Sequence, residues 1–150
     1  MTADPFDLER FVAAQRGVHE AVLDELGRGR KTGHWMWFVF PQLAGLGHSD
    51  LSRRYAIRSV AEAHAYLGHP VLGPRLRACA RRLLAHRGRT AREILGDVDA
   101  MKLRSSMTLF HRAAPNDPTF RAVLDRFFGG RADEATDRLL ERALDPGTVG

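Results

Sequence analysis

The sequence predicts an all-α fold, a single compact multihelical domain of about seven helices spanning residues 1–150, with its core over about 5–144 and both termini loose. Three observations carry this expectation. Apolar residues recur at spacings of three and four along most of the chain. Ser, Thr and Asp stand directly before helical runs, and Gly or Pro stands after them. Sustained alternation of period two is missing.

Taken in order, Phe11, Ala14, Val18, Val22 and Leu26 form one stripe, which Gly17 divides and Gly27 and Gly29 end. The run Trp35 to Phe40 is apolar on both faces and reads equally as a buried strand or a buried helical turn. Ser49 or Ser52 caps a short helix through Tyr55 and Ile57. Ser59-Val60-Ala61-Glu62 is a capping-box pattern, and its helix stops at Gly68. Leu72, Leu76, Cys79, Ala80, Leu83 and Leu84 mark the inner side of the next helix. Thr90-Ala91-Arg92-Glu93 opens a short helix that ends at Gly96, and Asp97 caps a long one that runs to Pro115. Asp117-Pro118 starts a helix with Phe120, Val123, Leu124, Phe127 and Phe128 inward and Gly129-Gly130 at its end. Asp133 caps the last helix, which carries Leu139, Leu140 and Leu144 and stops at Pro146.

No apolar run approaches the ~18 residues of a membrane span. The acidic N-terminus lacks an apolar signal core, and the lone Cys79 excludes an internal disulfide, so the expected compartment is the cytoplasm. Formal net charge is +5, but among the 23 Lys and Arg residues only Lys31 and Lys102 are lysines. An arginine excess of this kind follows genomic base composition, so it does not by itself point to nucleic acid. It does single out the two lysines.

The run His34-Trp35-Met36-Trp37-Phe38-Val39-Phe40-Pro41-Gln42 holds both tryptophans between a histidine and Pro-Gln. Such an apolar load belongs against a core, with its polar ends held beside it. His34 is suited to proton transfer by its ordinary pKa near neutrality. Trp35 and Trp37 can stack a ring, and Gln42 can read an amide or nucleobase edge. Tyr55, after Ser52-Arg53-Arg54, can present its hydroxyl to the same cleft. Each residue is also compatible with ordinary packing.

The helix Asp97 to Ala114 shows an unusual arrangement when its residues are placed about 100° apart. Val98, Met101 and Leu109 form one apolar arc, and Leu103, Met107 and Phe110 another. Ala100, Arg104, Thr108 and His111 read as the solvent face. Asp99, Lys102 and Ser106 form a polar wedge between the arcs, with Ser105 at its border. Such a wedge opens into the interior or a cleft. It is either a structural Asp99–Lys102 ion pair with small residues at a helix crossing, or a site for an anionic or polyhydroxylated ligand.

No Cys/His set has zinc spacing, and no P-loop, dinucleotide fingerprint or Gly-x-Ser-x-Gly is present, so no metal and no cofactor is expected. Arg75, Arg82 and Arg89 recur every seven residues, but the surrounding arginines spread round the helix, which favours a solvated surface over a phosphate-contacting face.

These residues closely resemble the bacterial family catalogued as domain of unknown function 1810. The match runs from about Pro5 to Leu140 through Phe11-x-x-Ala14-Gln15, His34 to Gln42, Gly45-Leu46-Gly47, Tyr55-Ala56-Ile57, Glu62-Ala63-x-Ala65-Tyr66-Leu67, His69-Pro70-x-Leu72-Gly73-x-Arg75-Leu76 and Asp99-x-x-Lys102-Leu103-x-Ser105-Ser106-Met107-Thr108-Leu109-Phe110. The resemblance implies a mostly helical single domain and supplies no reaction. A weaker likeness, in the order of the Ser59–Ala63, Lys102–Met107 and Asp117–Leu124 segments, is to ADP-ribose-handling N-glycosidases. Further residues those enzymes need have no counterpart placed here, so their activity is not carried over.

The expectation is therefore a small polar or anionic ligand, nucleotide- or ADP-ribose-like, held between the aromatic block and the Asp99–Ser106 wedge. His34 and Lys102 are the candidates for catalysis, and Trp35, Trp37, Gln42, Tyr55, Asp99, Ser105 and Ser106 those for binding. Whether the site is enzymatic, and the oligomeric state, stay open. The alternatives are a non-enzymatic helical protein-interaction module and nucleic-acid binding through arginine-rich helices. No membrane partner is expected.

Overall fold

Phe11, Tyr66, Phe110 and Phe120, each fully buried, stack as a ring-to-ring spine with centroid separations of 5.1, 5.3 and 5.7 Å along it. The helices gather round this spine in a computed structural model that describes residues 3–144, and of Leu144 only the backbone. The expected stop at Pro146, the packing of Leu144 and the looseness of the extreme ends lie outside the described residues.

The elements are α1 (Glu9–Gln15), α2 (His19–Arg28), α3 (Met36–Val39), α4 (Asp50–Arg54), α5 (Val60–Gly68), α6 (Leu72–Leu84), α7 (Ala91–Leu95), α8 (Asp97–Ala113), α9 (Pro118–Phe128) and α10 (Glu134–Leu144). The described residues thus form ten helices and no strand, in place of about seven helices. Gly17, at φ 79°, separates α1 from α2. The aromatic block resolves as a helical turn of its own, α3, not as a strand. The helix α8 is central and packs against α5, α7, α9 and α10, while α6 packs against α2, α5 and α9. None of the described helices is long and apolar enough to cross a membrane.

Capping follows the sequence at most ends. Ser49, Ser59, Thr90 and Asp117 each accept a backbone N–H of the helix they precede, and Asp133 accepts from Thr136 N. Thr90 and Glu93 complete a reciprocal box. Three details depart from expectation. Glu62 does not return to Ser59 but accepts from Arg58 N at 3.2 Å and pairs with Arg10 at 2.8 Å. A guanidinium offers a buried carboxylate more than a second backbone amide does. Asp97 is the first residue of α8, with Gly96 (φ 87°) at the cap position, and it pairs instead with Arg92 at 2.7 Å. The helix α4 ends at Arg54, and Ile57 belongs to an isolated parallel bridge with Leu43.

The orientation of α8 also differs. Val98 and Met101, expected in an apolar arc, are 65% and 71% exposed. Ala100 and Thr108, expected at the solvent face, are buried. The cause lies in the segment before α10. Arg104 donates to Arg131 O and Ala132 O, and Thr108 Oγ1 accepts from Asp133 N at 2.9 Å, so that segment lies over this face.

Gly73 shows how close the packing is. A Cβ there would collide with the carbonyl oxygen of Leu67, so α5 and α6 meet across a position that only glycine fits.

Candidate functional site

The α2 helix begins the site with a buried acid. Glu25 follows Val22 on the inner stripe and is 7% exposed. Its Oε1 accepts from Thr32 N (2.7 Å), Gly33 N (2.8 Å) and the Trp35 indole Nε1 (3.1 Å). Burial pushes the Glu25 carboxyl up, but the Gly33 and Thr32 amides and the indole outweigh it and hold it below its ordinary value. This carboxylate shapes the 30–35 segment and fixes Trp35, which is buried and so offers no stacking surface.

The same segment delivers Lys31. Its Nζ donates to Gly33 O at 2.6 Å and lies 2.9 Å from Asp99 Oδ2, while Lys102 Nζ lies 3.8 Å from Asp99 Oδ1. Both lysines lie over tryptophan: Lys31 is 5.1 Å from a Trp35 ring centroid and Lys102 4.8 Å from that of Trp37. The only two lysines of the chain therefore share one carboxylate and one aromatic pair. The polar wedge is largely withdrawn from bulk water. Its Asp99 and Lys102 side chains are 19% and 21% exposed and are engaged with each other, Lys31 and Trp37. Ser105 is buried and donates to Met101 O or Asp133 Oδ2. Ser106 is fully buried, and its Oγ has no partner among the described residues.

The open space lies on the cleft side of Trp37. Gln42 O accepts from Ile57 N at 2.8 Å, and Ala44 N donates to Ile57 O at 2.7 Å. These two bonds clamp the stretch after α3 alongside the stretch after α4. Between them and α4 lies a cleft of about 190 Å³, lined by Trp37, Gln42, Ser52, Arg53, Tyr55 and Arg58 with the glycine-rich turn Leu43–Gly47. Tyr55 is held by tilted contacts with Phe38 (5.5 Å) and Phe11 (5.8 Å). Gly47 forms the close end of the cleft, where a Cβ would come within 2.5 Å of Ser52 Oγ. The Gln42 carboxamide, the Tyr55 hydroxyl and the Arg58 guanidinium make no hydrogen bond to any described residue. Arg53 has only Asp50, at 3.9 Å.

Of the residues singled out from the sequence, Trp37, Gln42 and Tyr55 meet in this cleft, and Lys102 and Asp99 reach it through Trp37. Trp35, Ser105 and Ser106 are buried away from it, and His34 is exposed and outside its lining. Sequence reasoning missed Glu25, whose one signal is a carboxylate beside Val22 and Leu26 on an apolar stripe. It also left out Lys31 as the partner of Asp99, for which no local spacing exists.

The chain matches the family model described as protein of unknown function (DUF1810) over residues 5–140. No curated protein matches it. It is similar to a solved structure, the conserved hypothetical protein Rv1873 from Mycobacterium tuberculosis, with 54% identity over 92% of this chain and 99% of that one and a TM-score of 0.90. The aromatic block, the Asp99–Lys102 helix and the clamp that joins them to Tyr55 thus all fall within the matched region, and the chain belongs to the DUF1810 family.

Proposed function

We propose that this chain binds a small anionic ligand carrying a planar ring, in the cleft beside Trp37. One observation carries this reading: two rings, an unengaged carboxamide and two guanidiniums, of which Arg53 has only the exposed Asp50 at 3.9 Å, line a single concave space. Trp37 offers a ring for stacking and Tyr55 its hydroxyl, Gln42 can both donate to and accept from a ring edge, and Arg53 and Arg58 match a phosphate or carboxylate. Lys102 acts through Trp37, holding the ring from its own side, and Asp99 and Lys31 hold Lys102. In this role the wedge is support for the wall rather than a contact to ligand. His34 lies outside the lining, so the proposal is binding, without a proton-transfer step. A single domain working in the reducing cytoplasm is part of the same reading, supported by the one, buried, cysteine.

The test is titration of the intact protein with ribonucleoside 5′-monophosphates, followed by tryptophan fluorescence and thermal unfolding. A ligand at about 100 times its Kd adds about 2.7 kcal/mol of apparent stability. Trp37→Phe should weaken binding moderately and Arg58→Gln severely, with both variants folded. If none of the monophosphates quenches fluorescence or raises the unfolding temperature, the proposal fails. It fails equally if both variants bind as the parent does.

A further inference from the structure

The cleft beside Trp37 does not end at Arg53 and Arg58. On the far side of these two arginines lies a second cleft, of about 540 Å³, which they line together with Phe6, Asp7, Arg10, Arg54, Ser59 and Glu62. We infer that the two clefts form one extended site for a nucleoside diphosphate or its ester, with the ring at Trp37, the first phosphate at Arg53 and Arg58, and the second phosphate in the Arg54 cleft. This inference rests on the proposed function and adds the chemical class of its ligand.

The electrostatics of the second cleft follow from which of its groups are already occupied. Arg10 spends its guanidinium on the fold. Nε donates to Arg54 O (2.9 Å), Nη1 to Phe6 O (2.6 Å) and Asp7 O (2.8 Å), and Nη2 to Ala56 O (2.8 Å) and Glu62 Oε2 (2.8 Å). All five donors of that group are thereby satisfied. Glu62 is neutralised in turn, with its other oxygen on Arg58 N. The Arg10–Glu62 pair is therefore a framework that contributes little net charge to a ligand. Arg53, Arg54 and Arg58 remain. Arg54 lies 5.6 Å from the Tyr55 ring centroid, which ties it to the ring-binding cleft, and Arg53 has only the solvent-exposed Asp50. Against these three cations stands the carboxylate of Asp7, at the exposed rim where water screens it. Three planar forks along one path match two adjoining phosphates better than one. Two guanidiniums shared by both clefts place the first phosphate at the junction, so the second must extend away from the ring.

The experiment compares the four common ribonucleoside 5′-diphosphates with the corresponding monophosphates on the intact chain, by calorimetry and tryptophan quenching, in the parent, Arg54→Gln and Arg54→Lys. For the base that binds best, the diphosphate should be about tenfold tighter than the monophosphate. That ratio should fall to about one in Arg54→Gln and recover in part in Arg54→Lys, with the unfolding temperature of each variant showing that it is folded. Monophosphates that bind as tightly as diphosphates, or a ratio that survives in Arg54→Gln, would overturn the extended site while leaving the proposed function standing. Absence of binding by every nucleotide would overturn both.

Discussion

Lys31 closes on Asp99 at 2.9 Å, whereas Lys102, one turn along the same helix as Asp99, stays at 3.8 Å. The shorter contact comes from a residue distant in sequence, held by its own backbone: Lys31 N donates to Ile94 O at 2.8 Å, beside the start of α8. A helix neighbour at i+3 is always near, but its reach is set by helix geometry. A residue on a separate segment can be brought to the best distance. Asp99 is thus the joint between the segment after α2 and the helix α8.

Asp99→Asn should therefore destabilise the protein although it is nearly isosteric. Hydrogen bonds to charged groups contribute about 1.5–3 kcal/mol, and two lysines would lose their shared counter-charge. Urea unfolding of the variant should show a lower midpoint with an unchanged slope. A midpoint equal to that of the parent would show that the lysines do not depend on Asp99.

Glu25→Gln tests a buried acid. The amide can keep its carbonyl oxygen toward the three N–H donors, all of which meet Oε1, but it loses the negative charge that strengthens those bonds, and the loss should be about 1.5 kcal/mol at neutral pH. The sign with pH is determined by the lowered carboxyl. Its stabilisation is present above the unfolded value of 4.5 and is lost as pH falls through the folded value. The stability gap between parent and variant should accordingly narrow in acid, and a gap that is constant from pH 7 to pH 3 would contradict the assignment.

Ser106 and Ser105 are adjacent in sequence and should respond oppositely. Ser106 Oγ is buried without a partner among the described residues, so Ser106→Ala removes an unsatisfied hydroxyl and should leave stability unchanged or raise it by up to about 1 kcal/mol. Ser105→Ala removes the contact to Asp133 and should lower it by about 1 kcal/mol. Thermal unfolding of the pair checks the contrast, and loss of stability in Ser106→Ala would show that its hydroxyl is satisfied.

Cys79 should be unreactive in the native protein. Burial pushes its thiol up to about 12 from an ordinary 9.0, so the reactive thiolate is scarce below that pH. The native state holds the proton longer than the unfolded state. This contribution to stability is complete below pH 9 and is lost as pH rises toward 12. Cys79→Ala should flatten the alkaline limb of stability against pH. Rapid labelling by a thiol reagent at pH 8 in native conditions would contradict the burial.

Much of the architecture was legible along the chain because it depends on local chemistry. The glycine break at Gly17, the Thr90–Glu93 box, the Asp117-Pro118 start and the inner stripe of α6 are all decided within one or two turns of helix. The family was legible too, from motifs spread over most of the sequence. The rotation of α8 was not. Its exposed face is determined by which segments cover it, and the backbone of Arg131, Ala132 and Asp133 arrives from elsewhere to bury Thr108. Val98 and Met101 are left in water for the same reason: hydrophobic burial needs a partner surface, and periodicity reports only a preference for one.

The candidate site divides along the same line. The order of residues marked Trp37 and Gln42 in the aromatic run and Tyr55 after Ser52-Arg53-Arg54, and composition marked the two lysines. Only the folded chain brought Lys31 to Asp99, placed Lys102 over Trp37 and clamped Gln42 beside Ile57 so that Arg53 and Arg58 border the same space. Side-chain type is written in the sequence, but the neighbours of a side chain depend on contacts between distant segments, and those exist only once the core has closed.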